Sequence, residues 1–404
     1  MRDSPTYGGG ESLYVGWLVV VACFLGTVAI FGVSYSFGVF FERLVVEFGR
    51  SRDVVSLVFA VQTFVMCLGA GVLGPLVSVY GVKRAWVFGT GLFAIGLLGA
   101  SRATSLVSLV VAYGGVAALG MGILYVASSV TITWWFDERR GLASGLASSG
   151  IGVGLLGIAP VARHLVATNG WQSAYFAIFV LVVGLLAVAT QLLVDPDGRV
   201  EARADESARS RFRRQHEVLR SVVGSASFRW LFVGWTCIYL PVYAVLAHLV
   251  LYVSAQPGLS SSTGSWLLGV IGVSTGVARI GVGPIGDRTG RPKTFLVSAF
   301  VLGISVVILP ATSSVASLVG FAVLFGVAYG ANGALLAPVI ADVYGTANIS
   351  SLFGAISISF AISGLFAPYL TGLIYRLAGS YWIAFVGFGL LAILGAGCTV
   401  RGVR

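Results

Sequence analysis

Charge is scarce in this chain. Only 10% of its 404 residues are Asp, Glu, Lys or Arg, against roughly a quarter in an ordinary soluble domain. A soluble globule of this size needs a charged surface, so that class is excluded. Histidine is scarcer still, with three residues, and the four cysteines (Cys23, Cys67, Cys237, Cys398) show no CxxC or Cys/His spacing. Neither a disulfide frame nor a metal site is indicated, and small apolar packing is the cysteines' default role. No GxxxxGK[ST] occurs, which removes ATP-driven work through a phosphate loop. No nucleophile and base stand paired, so an enzyme has no visible machinery, and no cofactor or metal is implied.

What remains is apolar: 57% of the residues are hydrophobic and the mean hydropathy is +0.95. About 20 such residues cross a bilayer. The sequence offers twelve such stretches, near 14–41, 53–79, 85–101, 105–135, 141–168, 171–194, 228–253, 265–286, 294–312, 315–342, 351–375 and 380–400. Unbroken runs of this length fit helices, because barrel strands are about ten residues of alternating polarity. The first stretch outruns a signal-peptide core and reads as an uncleaved helix. With the N-terminus in the cytoplasm, twelve spans return the C-terminus there. The cytoplasmic side then holds 18 of the 25 Lys and Arg, and the outer side six: Arg43, Arg50, Arg52, Arg102, Arg163 and Arg376. That bias obeys the positive-inside rule for a cell (inner) membrane protein. It explains the net charge of +10 without nucleic acid as a partner; membrane lipid is the expected surrounding, and a monomer the expected unit.

The one long polar segment contains DPDGRVEARADESARSRFRRQHEVLRS and is too long for an ordinary loop within a compact unit. It divides the chain into an N-terminal six-helix bundle, 1–194, a cytoplasmic linker, 195–227, and a C-terminal six-helix bundle, 228–404. The linker is expected to be a solvated connector; the alternative is an Arg-rich amphipathic helix on anionic headgroups. The halves repeat at an offset of 209. GPLVSVYGVKR (74–84) lies over GPIGDRTGRPK (283–293), pairing Gly74 with Gly283, Pro75 with Pro284, Gly81 with Gly290 and Arg84 with Lys293, and the same offset carries Gly145 onto Gly354. Transporters are often built from such repeats, with the substrate held between them.

The loop from Gly283 to Lys293, Gly-xxx-Asp-Arg-x-Gly-Arg-Pro-Lys, resembles the loop motif of the major facilitator superfamily, with a decayed copy at 74–84 in which Ser78 replaces the acid. The resemblance covers the whole chain. It implies an all-α integral membrane protein of twelve transmembrane helices in two pseudo-symmetric six-helix bundles that alternate access. More narrowly, SYSFGVFFERLVVEFGRSRDVVSLV (34–58) and WWFDERRGLASGLASSGIGVG (134–154) are similar to signatures of the monocarboxylate porter and oxalate:formate antiporter families. The second, with Arg139, Arg140, Gly141, Ala143 and Gly145, is the more specific.

One charge interrupts the apolar stretch that begins at Trp266. Arg279 lies eight residues from Asp287, ~12 Å along a helix, too deep to snorkel. A cation at that depth costs about 2.5 to 3.5 kcal/mol on insertion scales. Of the 15 Asp and Glu only Asp342 belongs to a core helix, at its cytoplasmic end, and Asp53 flanks the outer loop at the edge of its span, so no carboxylate stands level with Arg279. Two readings follow: a substrate anion supplies the missing charge, for which a guanidinium's fork is suited, or the arginine is structural and bonds backbone carbonyls. The resemblance implies the first, because an arginine in helix 8 binds the substrate carboxylate in that family and VAR at 277–279 matches its setting. Thr275, one turn earlier, is a candidate for a substrate hydroxyl or keto oxygen. Animal members carry an Asp there and a Lys in helix 1; here these positions hold Thr275 and Tyr35, which puts proton coupling by that scheme in doubt. A single buried cation, with no Lys in 351–375, favours a monocarboxylate over oxalate. Gly272 and Gly276, at i, i+4, read as a close helix-packing pair.

Three further polar residues are site candidates: Tyr125, against aromatic core filling, and Tyr329 with Asn332 on one face of helix 10, where a buried amide needs partners. His248, the one histidine inside a span, is the proton-coupling candidate, against a satisfied helix-to-helix hydrogen bonder. Asp287, Arg288, Arg291, Arg139 and Arg140 lie at helix ends where charges pair with one another or with helix dipoles, and read as conformational gating groups that touch no substrate. The function that follows is secondary transport of a small monocarboxylate such as L-lactate or pyruvate. Protons are the co-substrate that the resemblance implies, with uniport and exchange left open. The rivals are an oxalate:formate-type exchanger and a non-transporting sensor of the same fold.

Overall fold

The computed structural model describes residues 9–196 and 207–403. Arg2, Arg199, Arg203 and Arg404 of the charge count, and 197–206 of the linker, lie outside the described residues. In chain order the helices are α1 Gly9–Tyr35, α2 Phe37–Phe48, α3 Arg52–Leu73, α4 Pro75–Tyr80, α5 Val82–Ser101, α6 Leu106–Leu109 leading through a π-helical segment into α7 Ala118–Trp135, α8 Arg140–Leu192, α9 Ala208–Val223, α10 Ala226–Ser254, α11 Ser261–Thr289, α12 Arg291–Ile308, α13 Val315–Tyr344, α14 Ile349–Ala378 and α15 Trp382–Val403. No strand occurs among the described residues.

Eleven helical runs are long and apolar enough to span a bilayer. One of them is two spans. α8 has 53 residues, ~80 Å of helix against ~30 Å of hydrocarbon, and it breaks at Gly170, whose φ of 82° and ψ of 164° are not helical. A left-handed φ favours glycine, which lacks the Cβ that clashes there. The count of twelve expected from hydropathy is therefore the count observed.

The spans pack in two groups. In one, α1 lies along α8, and α3 and α5 lie along α7; in the other, α10 lies along α15, and α11 lies along α13. Between the groups α8 meets α11 and α3 meets α14. Polar and small residues face inward, while Val72, Ile95, Leu156, Val277 and Leu394 stand exposed on the outside, as they must where lipid tails are the solvent.

The 209-residue repeat is a repeat of geometry. Gly81 and its counterpart Gly290 have φ of 92° and 98° and each ends one helix and precedes the next. A Cβ on Gly145 would meet the Arg279 carbonyl at 2.0 Å, and one on its counterpart Gly354 would meet the Ala70 carbonyl at 2.2 Å. Ala70 is the counterpart of Arg279, so one seam carries a cation where the other carries a methyl group.

The linker differs from the solvated connector expected. Residues 208–223 form a helix with a basic exposed face, but Gln215 is buried and α9 packs on α4 and α14. Gly272 and Gly276 are also not the tight contact: a Cβ on Gly276 would meet nothing within 4 Å. The close approach to α11 is made instead by glycines of the helix packed on it, Gly326 and Gly330, which face the carbonyls of Ile271 and Thr275.

Candidate functional site

The seat of Arg279 is built by α13. In the stretch FGVAYGANGALL, Gly326 and Gly330 bring the α13 backbone against α11. One turn on, Gly333 faces the guanidinium itself. A Cβ there would stand 2.3 to 2.6 Å from Nη2, Cζ and Nη1, so glycine is required for the arginine to lie flat against the helix. Tyr329, four residues earlier, places its ring 5.8 Å from Cζ, within cation-π reach.

Arg279 is 3% exposed. Among the described residues its Nε has no hydrogen-bond partner. Asp137, Asp287, Asp342 and Glu217 are paired with Arg140, Arg291 and Arg213 instead. A buried cation without an acceptor is costly. This one is aimed into a cavity of about 80 Å³ between the two groups of helices.

Tyr35 and Tyr125 line that cavity from one group and Tyr329 and Arg279 from the other. Tyr239 and Tyr243 of α10, Phe353 and Phe360 of α14, and a row of small hydroxyl residues, Thr27, Ser128, Ser129, Ser144 and Ser148, complete most of the wall. The hydroxyls of Ser128, Ser144 and Tyr239 have no hydrogen-bond partner among the described residues. The wall contains no Asp, Glu, Lys or His. Sequence reading missed the α10 tyrosines. Their signal was YLPVY at 239–243, two tyrosines at i, i+4 around a helix-interior proline.

Three candidates stand elsewhere. Thr275 does not line the cavity: it faces α13 and its hydroxyl donates to the Gly326 carbonyl at 3.1 Å. Asn332 also turns away, fully buried, with Nδ2 donating to Ser298 Oγ at 2.6 Å and to the Ala328 carbonyl at 3.2 Å. His248 is 2.9 Å through Nε2 from the Pro368 carbonyl and lies beside Tyr381, outside the cavity wall. It is a helix-to-helix hydrogen bonder, as an isolated histidine in a helix often is.

The gating candidates gather at one end of the molecule, the basic face. α8 begins there, and its first amides have no intrahelical acceptor. Asp287 accepts both: Gly141 N at 2.7 Å and Leu142 N at 2.9 Å. Arg291 Nε holds the same carboxylate at 2.8 Å. Asp342 bridges Arg140 Nη1 at 2.8 Å and Arg291 Nη1 at 2.9 Å, and Arg140 Nη2 pairs with Asp137 at 2.8 Å. Arg291 also donates to the Asp137 and Glu138 carbonyls. These bonds tie the helices before residue 195 to those after 225. Arg139 and Arg288, the remaining gating candidates, are exposed and make no ion pair among the described residues.

Comparison with known proteins agrees in extent and in kind. The major facilitator superfamily model matches residues 23–275 and 249–402. Monocarboxylate transporter 13 of Rattus norvegicus is 27% identical over 401 residues, which cover 99% of this chain and 90% of that protein. Monocarboxylate transporter 12 of Xenopus laevis is 26% identical over 418 residues, covering 97% and 88%. Among solved structures, the E. coli fucose:proton symporter FucP superposes with a TM-score of 0.76 at 15% identity, over 98% of this chain and 100% of that one.

Proposed function

The chain belongs to the major facilitator superfamily, and from that premise we propose that it carries small monocarboxylates, such as L-lactate or pyruvate, by alternating access. It is a multi-pass membrane transporter that resembles monocarboxylate porters, and not an enzyme. The observation that carries the proposal is Arg279: a guanidinium buried in the wall of a central cavity with, among the described residues, no protein carboxylate to neutralise it. A substrate carboxylate forms two parallel N–H···O bonds with that fork and removes the charge penalty as it binds. One cation matches one carboxylate, which favours monoacids over oxalate. Tyr35, Tyr125 and Tyr329, with the unpartnered serines, hold the rest of the acid.

The units 1–194 and 228–404 rock about the cavity, with the basic face toward the cytoplasm of the cell membrane and the monomer as the working unit. Asp287, Arg291, Arg140 and Asp342 hold the closed basic face and so favour the state open to the outside. Proton coupling has no acid, lysine or histidine to act on in the wall. The proton then enters on the acid, as in symport, or a second anion returns on the carrier, and the charge on the empty site supports exchange as a second reading. Uptake of labelled L-lactate into proteoliposomes tests both. Gradient-driven uptake that is lost in Arg279→Gln supports symport through this site, whereas uptake only into vesicles preloaded with lactate supports exchange. Uptake indifferent to Arg279 sinks the assignment.

A further inference from the structure

The basic face has two seams, and the repeat makes them counterparts. Asp287 meets the start of α8 at Gly141; 209 residues away, Ser78 meets the start of α14 at Ser350, counterpart of Gly141. The first seam holds a buried carboxylate that accepts two helix amides. The second holds one hydroxyl pair, Ser78 Oγ to Ser350 Oγ at 2.5 Å. Hydrogen bonds to a charged group are worth roughly twice neutral ones, so the second seam is the weaker. Asn348, at the N-cap of α14, makes no capping bond of its own.

A residue from neither half fills this corner. Gln215, midway along α9, is 4% exposed. Its Nε2 donates to Asn348 Oδ1 at 2.8 Å, and its Oε1 accepts from Ser351 Oγ at 2.5 Å. Both ends of a buried amide are thereby satisfied, as burial requires. The helix that carries it packs on α4 of one half and α14 of the other. When the basic face opens, α4 and α14 separate, and α9 cannot stay on both.

We propose that the linker helix is a third part of the gate. Gln215 latches it onto the start of α14 while the basic face is closed, reinforcing the seam where Ser78 stands in place of an acid, and α9 gives up one of its two docking partners when the face opens. The exposed side of α9, with Arg209, Arg213, Arg214 and Arg220, keeps the helix soluble when it leaves. The inference rests on alternating access but not on which substrate is carried.

The test is electron–electron distance measurement on the full-length protein in lipid nanodiscs, without substrate. Spin labels go on Lys83→Cys and Lys293→Cys, exposed positions on the two halves at the basic face, with the native cysteines replaced by serine. Gln215→Ala should raise the ratio of long (open) to short (closed) distances by about tenfold, since it removes two hydrogen bonds, each of modest net worth. Ser351→Ala, which removes one bond from the other side, should raise it too, by less, and the double variant should not exceed Gln215→Ala by more than the error. Arg209→Ala on the exposed side of the same helix should leave it unchanged. Should the parent's open fraction be too small to read, the same variants are compared in an Asp287→Asn background, and Ser351→Ala stands in if Gln215→Ala does not fold. An unchanged distance distribution in Gln215→Ala, or independent additive effects of the two variants, overturns the latch. Loss of lactate uptake has no bearing on either result, so the latch and the substrate reading fail separately.

Discussion

Arg279 and Arg140 are buried to similar depth, 3% and 6% exposed, and the fold provides for them in opposite ways. Every arm of Arg140 is met: Nε by the Phe136 carbonyl at 3.0 Å, Nη1 by Asp342 and Nη2 by Asp137. Arg279 receives a glycine to lie on and an aromatic face beside it, but no acid. Burial alone therefore does not mark a site. What separates the two cations is whether the chain supplies a counter-charge: at Arg140 it does, and at Arg279, among the described residues, it does not.

That contrast can be broken from either side. The largest effect is expected from Arg279→Gln, which removes the one cation facing the ligand: breaking a buried charge pair costs about 3 to 5 kcal/mol, so the bound-substrate signal in calorimetry and the uptake of labelled lactate should both fall by more than a hundredfold (~1.4 kcal/mol per tenfold). Next is Asp287→Ala. It strips two helix amides and Arg291 of their shared acceptor, and the Lys83 to Lys293 label pair should shift from mostly short to mostly long distances.

Gly333→Ala sharpens the comparison, since it moves the guanidinium without removing it. The atoms displaced are the far end of a flexible side chain, which can swing aside, so the KM for lactate should rise about tenfold (~1.4 kcal/mol) with the thermal midpoint close to that of the parent. Ser78→Asp tests the gate by repair: an acid at the decayed seam should favour the closed basic face by a few fold and slow turnover in the same proportion. The smallest effect on transport belongs to Asn332→Ala. Its amide bonds Ser298 and the Ala328 carbonyl away from the cavity, so uptake should stay within twofold of the parent, while the melting temperature falls with ~1 kcal/mol of lost hydrogen bonding.

Much of the frame was legible because hydropathy has one cause in a membrane: the span count and the break between 168 and 171 that falls at Gly170 both follow from it, while the repeat at 209 was carried by the glycines, prolines and bases of two loops. The lone Arg279 was legible for the same reason, as an uncompensated cost. Orientation within the spans was harder. A helix that is apolar all round has no polar stripe to say which face meets the cavity, and so Thr275 and Asn332, sound candidates by spacing, face helix neighbours, while Tyr239 and Tyr243 went unnoticed. The gate was half visible. Asp287 stands out in its motif, but what it binds is the backbone of Gly141 and Leu142, and amides leave no mark in a sequence. Gln215 carried no signal either, because a glutamine in an Arg-rich linker looks solvated until something is folded over it.

The Arg279 guanidinium has a consequence for the membrane as well as for the acid. A carrier with a water-filled cavity is a potential leak, and the cell's stored voltage and pH difference depend on its staying tight. A fixed positive charge in the cavity wall, at an effective dielectric of about 20, opposes a monovalent cation brought within 4 Å by about 4 kcal/mol. That is close to a thousandfold reduction in occupancy (~1.4 kcal/mol per tenfold). Sodium, potassium and hydronium meet this barrier each time the cavity stands empty, so the residue proposed to bind the anion would also insulate the bilayer between turnovers.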